Sequence, residues 1–568
     1  MGKIFNNRWW LLITLILLIL INWIASVIHS RLDLTNEKRF TLSASTKKLL
    51  KSVRSPVSVE VFLKGNYPSG FKKLASSAEE ILQEFKEIAG KNFQYTFISP
   101  EATLDGTDVK YADTLSALGL YPINLTSQLK EGQQQQFVYP VALVHYNDKT
   151  IPVRLYQGKT PLISFQELNS AEALLEYNIA NAIAKAARVE KPAIAYASGN
   201  GEPMDYSIYD LVENNLKIDY NLSIFNLGTQ PIIPDVFRVL LIVKPATGFT
   251  DEEKFKLDQF VMNGGKMLVF IDRLNAEMDS LQINNQVIAY DRNLQLFDMF
   301  FRYGVRINPD LVMDLQCDFL PFDVNGNGQF TLLPWNYFPV LSSASNHPIN
   351  KNLGFVAGRF VNSIDTVEAE GIRKTIILNS SANTRTIGSP ALISGSENVN
   401  APEDEKYKKA GIPVAVLLEG KFRSFYANRL SQNMNDTLQK YGARFLTESV
   451  SDNKMIIVSD GDILLNSMVK SQPIPMGMNP YTYETQREFP FANKDFLNNC
   501  LDYLINENGL SEAKGKDYTI ELLDSKKVNN EKTFWQALNI AAPVAIVILF
   551  AVIFQWLRKR KYSIKIYE

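Results

Sequence analysis

Three stretches decide the fold: KPAIAYASGNGEP (residues 191–203), VFRVLLIVKP (residues 236–245) and MLVFIDR (residues 267–273). Each carries a short apolar run, Ala193 to Ala197, Val236 to Val243 and Met267 to Ile271, that stops on polar or charged residues. A helix-like segment, Asp205 to Lys217, separates the first two. Before the third, Thr250 stands three residues ahead of Glu253, the spacing of a capping box. Gly264-Gly265 then gives the left-handed stop that ends many helices. Apolar runs alternating with helices predict parallel strands joined by crossovers, an α/β sheet.

In such a sheet, functional groups collect at the carboxyl ends of the strands. That edge would carry Ser198, Gly199, Asn200, Gly201 and Glu202 after the first run, Lys244 after the second and Asp272 after the third. One reading is a polar ligand site. The blander one is a tight glycine turn, with Glu202 and Asp272 capping helices. A lone Gly-x-Gly is a weak motif, so the turn is the favoured expectation.

The ends of the 568-residue chain point to a membrane. Trp9–Ile28 and Leu538–Leu557 are almost wholly apolar, and about 20 such residues cross a bilayer. The first is too long for a signal-peptide core, and Ile28-His29-Ser30 is a poor cleavage site. Lys3 and Arg8 precede the first run, and Arg558-Lys559-Arg560-Lys561 follow the second. The positive-inside rule then puts both termini in the cytoplasm and the bulk of the chain outside it. Two spans without internal charges make a poor ion path or carrier.

Between the spans, Val57, Val59, Val61 and Leu63 alternate with polar residues as a half-buried strand does. A helix is expected over Leu74–Ala89, a strand over Phe93–Ile98, and paired strands over 137–145 and 150–156 around Asn147-Asp148. This order predicts a small α/β domain of thioredoxin-like kind, without the Cys-x-x-Cys of a redox protein. Ser43 or Ser45 should cap a short helix, and Gln133 to Gln136 should lie in a hairpin or loop. Ser164 and Glu167 have capping-box spacing for a long helix with Leu168, Ala171, Leu175, Ile179, Ala182, Ile183 and Ala186 on one face. Further on, strands are expected over Leu311–Leu315, Thr375–Leu378, Pro413–Leu418 and Lys454–Ser459, and helices over Leu294–Tyr303 and Asn493–Asn506. Ser394 to Gly411 reads as a mobile loop, and Glu521–Lys532 as a charged connector.

Several chemistries are excluded or weak. With 59 basic and 60 acidic residues, the net charge of −1 gives no electrostatic case for nucleic acid. The Gly-x-x-x-x-Gly-Lys-Ser/Thr loop that cradles nucleotide phosphates is missing, since Gly265-Lys266 runs into Met267. His29, His145 and His347 lack zinc spacing, and Cys317 and Cys500 are too sparse for a disulfide scaffold. No cofactor and no catalytic residue is assigned. Asp323, Asn325 and Asn327, followed by Gly328, begin like a calcium loop, but Pro334 stands where the bidentate glutamate belongs. The alternative is a turn between two strands.

A resemblance covers nearly the whole chain. Tyr196 to Glu202, Val239 to Val243, Asp258-Gln259-Phe260 and Gly264-Gly265-Lys266 resemble the auxiliary components of bacterial ABC transport systems, and within them the gliding-motility-associated GldG type. Tyr121-Pro122-Ile123-Asn124, Tyr303 to Asn308, Pro334 to Pro339 and His347-Pro348-Ile349 extend it. The resemblance implies a body over 191–510 similar to glutamine amidotransferases but without their activity, since neither cysteine stands on a sheet elbow. It implies an inner-membrane subunit with two spans (9–28 and 538–557) and short cytoplasmic ends (1–8 and 558–568). An N-terminal α/β domain (29–165), a linking helix (166–190) and a connector (511–537) complete the expected layout. The implied partners are a polytopic ABC permease and a separate ATP-binding subunit, in support of motility and secretion. The competing expectation is an extracytoplasmic ligand- or glycan-binding receptor using the strand-end edge.

Overall fold

The computed structural model describes residues 15–20 and 41–563, apart from 105, 119, 121, 130–131, 157–164, 279, 282–285, 324–326, 352, 395–403, 486, 506–508 and 516–524. The chain divides into two compact units, Met1–Asp517 and Tyr518–Glu568.

At the start of the first unit, β1 (Val57–Val61) buries Val57, Val59 and Val61, one face of a period-two pattern. Helix α1 (Ser69–Ala89) follows and turns Phe71, Leu74, Ala78, Leu82 and Phe85 inward at three- and four-residue spacing. It delivers the chain to β2 (Phe93–Phe97), parallel to β1. β3 (Val141–Tyr146) and β4 (Lys149–Arg154) form a hairpin around Asn147, which takes the left-handed φ of 51° that the turn needs. β3 pairs antiparallel with β1, so the sheet order is β2-β1-β3-β4. The polyglutamine tract lies in a separate hairpin, Ile123–Leu129 with Gly132–Val138. The expected Ser43 cap is present, its side chain accepting from Thr46 N, before helix Ala44–Ser52.

Helix α2 (Phe165–Ala187) buries every residue expected on its apolar face, and most of them share a core with α1 and β1. Ser164 lies outside the described residues; Glu167 accepts from Tyr156 OH at 2.8 Å. The far side of α2 is polar. Tyr177 OH and Asn181 Nδ2 both donate to Asp502 at 3.1 Å, and Lys185 Nζ lies 2.6 Å from Asp219. α2 therefore bridges the small sheet and the large one.

The large sheet has ten strands. Its parallel half is built from β5 (Ala193–Ser198), β6 (Asn221–Asn226), β7 (Val239–Val243), β8 (Lys266–Phe270) and a later strand, Asn453–Val458. Between β7 and β8 runs α3 (Asp251–Met262), whose capping box is made by Thr250 and Glu253 as the spacing predicts. All five residues of β7 are buried, as expected of a strand covered on both faces. The other half is antiparallel: β9 (Cys317–Phe322), β10 (Thr331–Ser343), β11 (Ile372–Asn379) and β12 (Pro413–Gly420), the last beside Asn453–Val458, now β13. The order is β9-β10-β11-β12-β13-β8-β7-β5-β6, with the short strand Val356–Ala357 added on β10.

The architecture is thus mixed α/β, and the expectation of a parallel sheet is corrected to half of one. Several strands escaped the sequence pattern, β6, β9 and β10 of the large sheet among them. β6 is an edge strand with asparagine at both ends and one buried residue, Phe225. β10 carries two prolines, Pro334 and Pro339, in a stretch where proline normally argues against a central strand. The predicted strand at Val236 begins only at Val239, since Val236 is exposed.

The second unit contains α4 (Ser525–Ser563), one continuous helix with Pro543 inside it. Residues Thr533–Arg560 are long and apolar enough to cross a membrane: an 18-residue window within them has a mean hydropathy of 2.7, and none of that window is buried. The expected charged connector is already helical from Ser525. Of the expected first span, residues 15–20 are helical and exposed; the rest lies outside the described residues.

Candidate functional site

Four adjacent parallel strands, β5, β7, β8 and β13, run the same way, so their carboxyl ends share one edge. Sequence reasoning placed Asn200, Glu202, Lys244 and Asp272 there, and all four follow these strands. It missed Asp460 and Asp462, which arrive on the loop after β13, and Glu277 and Arg292. The signal was present in Asp460-Gly461-Asp462 directly after an apolar run, but the sequence does not say that β13 lies beside β8.

The group centres on Lys244, a buried residue. Its Nζ lies 2.6 Å from Asp462 Oδ2, 3.0 Å from Glu277 Oε2 and 3.6 Å from Asp272 Oδ2. Arg292 pairs with Glu277 and lies 3.9 Å from Asp272. Asp272 Oδ1 accepts from Gly461 N at 2.6 Å, whereas Oδ2 has the two cations nearby but no hydrogen bond. Asp460 accepts from Arg359 N and Asp462 N, both at 2.8 Å. Lys244 holds a left-handed φ of 44°, a conformation uncommon for a residue with a side chain. Gly461 fits against it because a Cβ there would stand 2.6 Å from Lys244 Cβ.

Oxygens of Asp272, Asp460 and Asp462 lie within 4.8 Å of one another, close enough to hold a cation. The ammonium of Lys244 already stands among them as an internal counter-ion. Burial pushes the Asp272 carboxyl up to about 6 against the pull of Lys244. Burial, with Asp462 and Asp272 adding repulsion, holds Asp460 well above the carboxylate range. Burial alone would lower Lys244; Asp462, Asp272 and Glu277 together overcome it and raise the ammonium's pKa. The arrangement sets two cations, Lys244 and Arg292, among four carboxyl groups, of which burial pushes Asp272 and Asp460 toward the neutral form.

The glycine turn forms as expected, with φ of 117° at Gly199 and 76° at Gly201. The carboxylates take other roles than helix caps. Glu202 Oε2 accepts from Asn200 N at 2.8 Å, and Asp205 caps the next helical turn by accepting from Ser207 N. Asn200 Nδ2 donates to Glu253 Oε2 at 3.1 Å, tying the turn to the capping box of α3. Asn200 Oδ1 and Glu202 Oε1 are buried without hydrogen-bond partners. Burial raises the Glu202 pKa. Ser198 ends β5, its backbone carbonyl accepting from Leu227 N.

In the calcium-like loop, Asn325 lies outside the described residues. Asp323 accepts from Asn327 N at 3.1 Å and Gly328 N at 2.9 Å, closing the turn between β9 and β10 on itself. Cys317 lies in β9 and Cys500 in helix Asn493–Ile505; both are free thiols. Burial pushes the Cys317 thiol up to about 12 and Cys500 higher still, the reverse of an activated nucleophile.

The fold and the site together define a mixed α/β body with a buried charge cluster at its parallel strand ends. Residues 191–500, more than half of the chain, match the ABC-transporter auxiliary family described as an "ABC-type uncharacterized transport system", and the chain belongs to it. Residues 36–145 match a domain of unknown function, DUF7088. An uncharacterized protein of Borreliella burgdorferi is 22% identical over 97% of both chains. Among solved structures, the mmIFT52 N-terminal domain is similar at 12% identity, covering 55% of this chain and 96% of that one, with a TM-score of 0.30. An exo-beta-1,4-mannosidase from Opitutaceae bacterium strain TAV5 gives a TM-score of 0.19 at 8% identity over 85% of this chain and 56% of that one. At those scores neither likeness carries an argument. The family gives the chain a transport-associated auxiliary role.

Proposed function

We propose that this chain is the non-catalytic auxiliary subunit of a GldG-type ABC complex in a bacterial inner membrane, serving gliding motility and associated secretion. The observation that carries the reading is the pairing, in one chain, of an ABC-auxiliary body with a helix whose apolar 533–560 stretch is unburied. An exposed apolar surface of that size requires lipid or another apolar helix around it. The sequence has no phosphate-cradling loop, so a separate subunit binds ATP, and a polytopic permease supplies the pathway. Residues 9–28 form the second span in this reading, and both termini are cytoplasmic. The small sheet, with two parallel strands followed by an antiparallel hairpin in the order β2-β1-β3-β4, supports a thioredoxin-like N-terminal domain. The parallel half of the large sheet is the amidotransferase-like part.

Solubilising native membranes in mild detergent and purifying the chain should recover a permease and a nucleotide-binding subunit. Replacing 9–28 and 538–557 with unrelated apolar helices should abolish most of that recovery. Full recovery with the replaced spans would make the external body the docking surface.

A second reading, a polar ligand at the strand ends, is favoured by the unpartnered oxygens of Asn200 and Glu202. Ser198, Gly199, Gly201 and Asp272 complete that edge.

A further inference from the structure

A cleft of about 460 Å³ opens where α2 faces the large sheet, within the size range of small-molecule sites. One wall is α2 with β4, bringing Arg154, Asn178 and Asn181. The other is the helical stretch 206–219, with Asn214 and Asn215, and the helix Asn493–Ile505, with Lys494, Asn498 and Asn499. It shares no residue with the strand-end cluster.

Its chemistry is unusual for a packing seam. Five cationic residues line it (Arg154, Lys185, Lys351, Lys494 and Lys514) against three acids, Asp219, Asp495 and Asp502. Lys185 is committed between two of the acids, 2.6 Å from Asp219 and 3.7 Å from the buried Asp502, which leaves four cations facing Asp495. Lys494 Nζ donates to Asn214 O, lies 3.9 Å from a fourth acid, the buried Asp210 behind the wall, and keeps 37% of its side chain exposed. Six asparagines add amide donors and acceptors. One of them, Asn215, is 5% exposed, and its Nδ2 is buried without an acceptor. Leaving such a donor unmade costs about 1–3 kcal/mol, so it marks a place for an acceptor atom.

A surplus of positive charge selects an anion, and a ring of amides suits a ligand with several hydroxyl groups. We infer that the cleft between α2 and helix Asn493–Ile505 binds a small polyhydroxylated carboxylate of the sugar-acid class. Lys494 faces its carboxylate and Asn215 Nδ2 donates to one of its oxygens.

Calorimetric titration of the full chain in detergent with D-glucuronate and, separately, D-galacturonate tests this. At least one should give saturable one-site binding, while neutral glucose binds at least about tenfold more weakly. Asn215→Leu and Lys494→Met should each weaken binding about tenfold, the size of one charge-assisted hydrogen bond. Their unfolding midpoints should match the wild type, so that lost binding is not lost folding. The inference is overturned if neither sugar acid binds, if glucose binds equally well, or if both folded variants bind like the wild type.

Discussion

Lys244→Met removes the ammonium at the centre of the strand-end cluster while keeping a side chain of similar length against Gly461. Asp462, at 2.6 Å, and Asp272, at 3.6 Å, then lose their nearest cation, and Glu277, at 3.0 Å, loses one of two. Glu277 is partly exposed and keeps Arg292, so its share is small. Asp272 and Asp462 are the costly pair, and breaking a buried ion pair from one side costs about 3–5 kcal/mol. That is a large part of the roughly 5–15 kcal/mol that holds a domain folded. The loss must depend on pH. Burial raises the folded-state pKa of Asp272 to about 6, so the folded form binds its proton at a pH where the unfolded chain has released it. Ionising Asp272 therefore lowers stability as pH rises through about 6. Without Lys244 this carboxyl stays protonated to still higher pH, and the folded variant avoids the charge in acid. Urea unfolding followed by tryptophan fluorescence should show the full deficit near pH 7.5 and a smaller one near pH 5. Adding Asp462→Asn to Lys244→Met should recover about 1 kcal/mol or more. A variant as stable as wild type at pH 7.5, or a deficit that grows on acidification, would refute this account of the cluster.

Glu202→Gln keeps an acceptor for Asn200 N and removes a carboxyl whose pKa burial raises, so near neutral pH it should be as stable as wild type or more so. That advantage should vanish as pH falls through the folded pKa, read by thermal unfolding at several pH values; a loss above about 1 kcal/mol would show the carboxylate itself to be required. Asp258, fully buried, accepts from Tyr303 OH, Ser424 Oγ, Phe425 N and Gln259 Nε2 at 2.6–2.8 Å. Asp258→Asn turns one acceptor into a donor facing two of them, and should cost about 3 kcal/mol and speed amide exchange over 422–426; unchanged exchange there would contradict it.

By itself the sequence determined the pieces whose causes are local. Hydropathy and spacing gave β5, β7, β8, the capping box at Thr250, the buried face of α2 and the apolar run within α4. In each, a periodic pattern or a cap is set by residues a few positions apart, which a linear reading can reach. It also placed Asn200, Glu202, Lys244 and Asp272 on one edge, because parallel strands necessarily end together. Only the tertiary structure decided what stands beside them. Asp462 is 218 residues from Lys244 in the chain, and their contact exists because β13 pairs with β8 instead of another strand. In the antiparallel half, β11 and β12 were legible as apolar runs but their direction was not, and β10, which departs from strand rules locally, is held by its neighbours. The cleft beside α2 was equally illegible. Asn215 and Lys494 are ordinary surface residues in sequence, and come to line one cleft only through the packing of segments far apart in the chain.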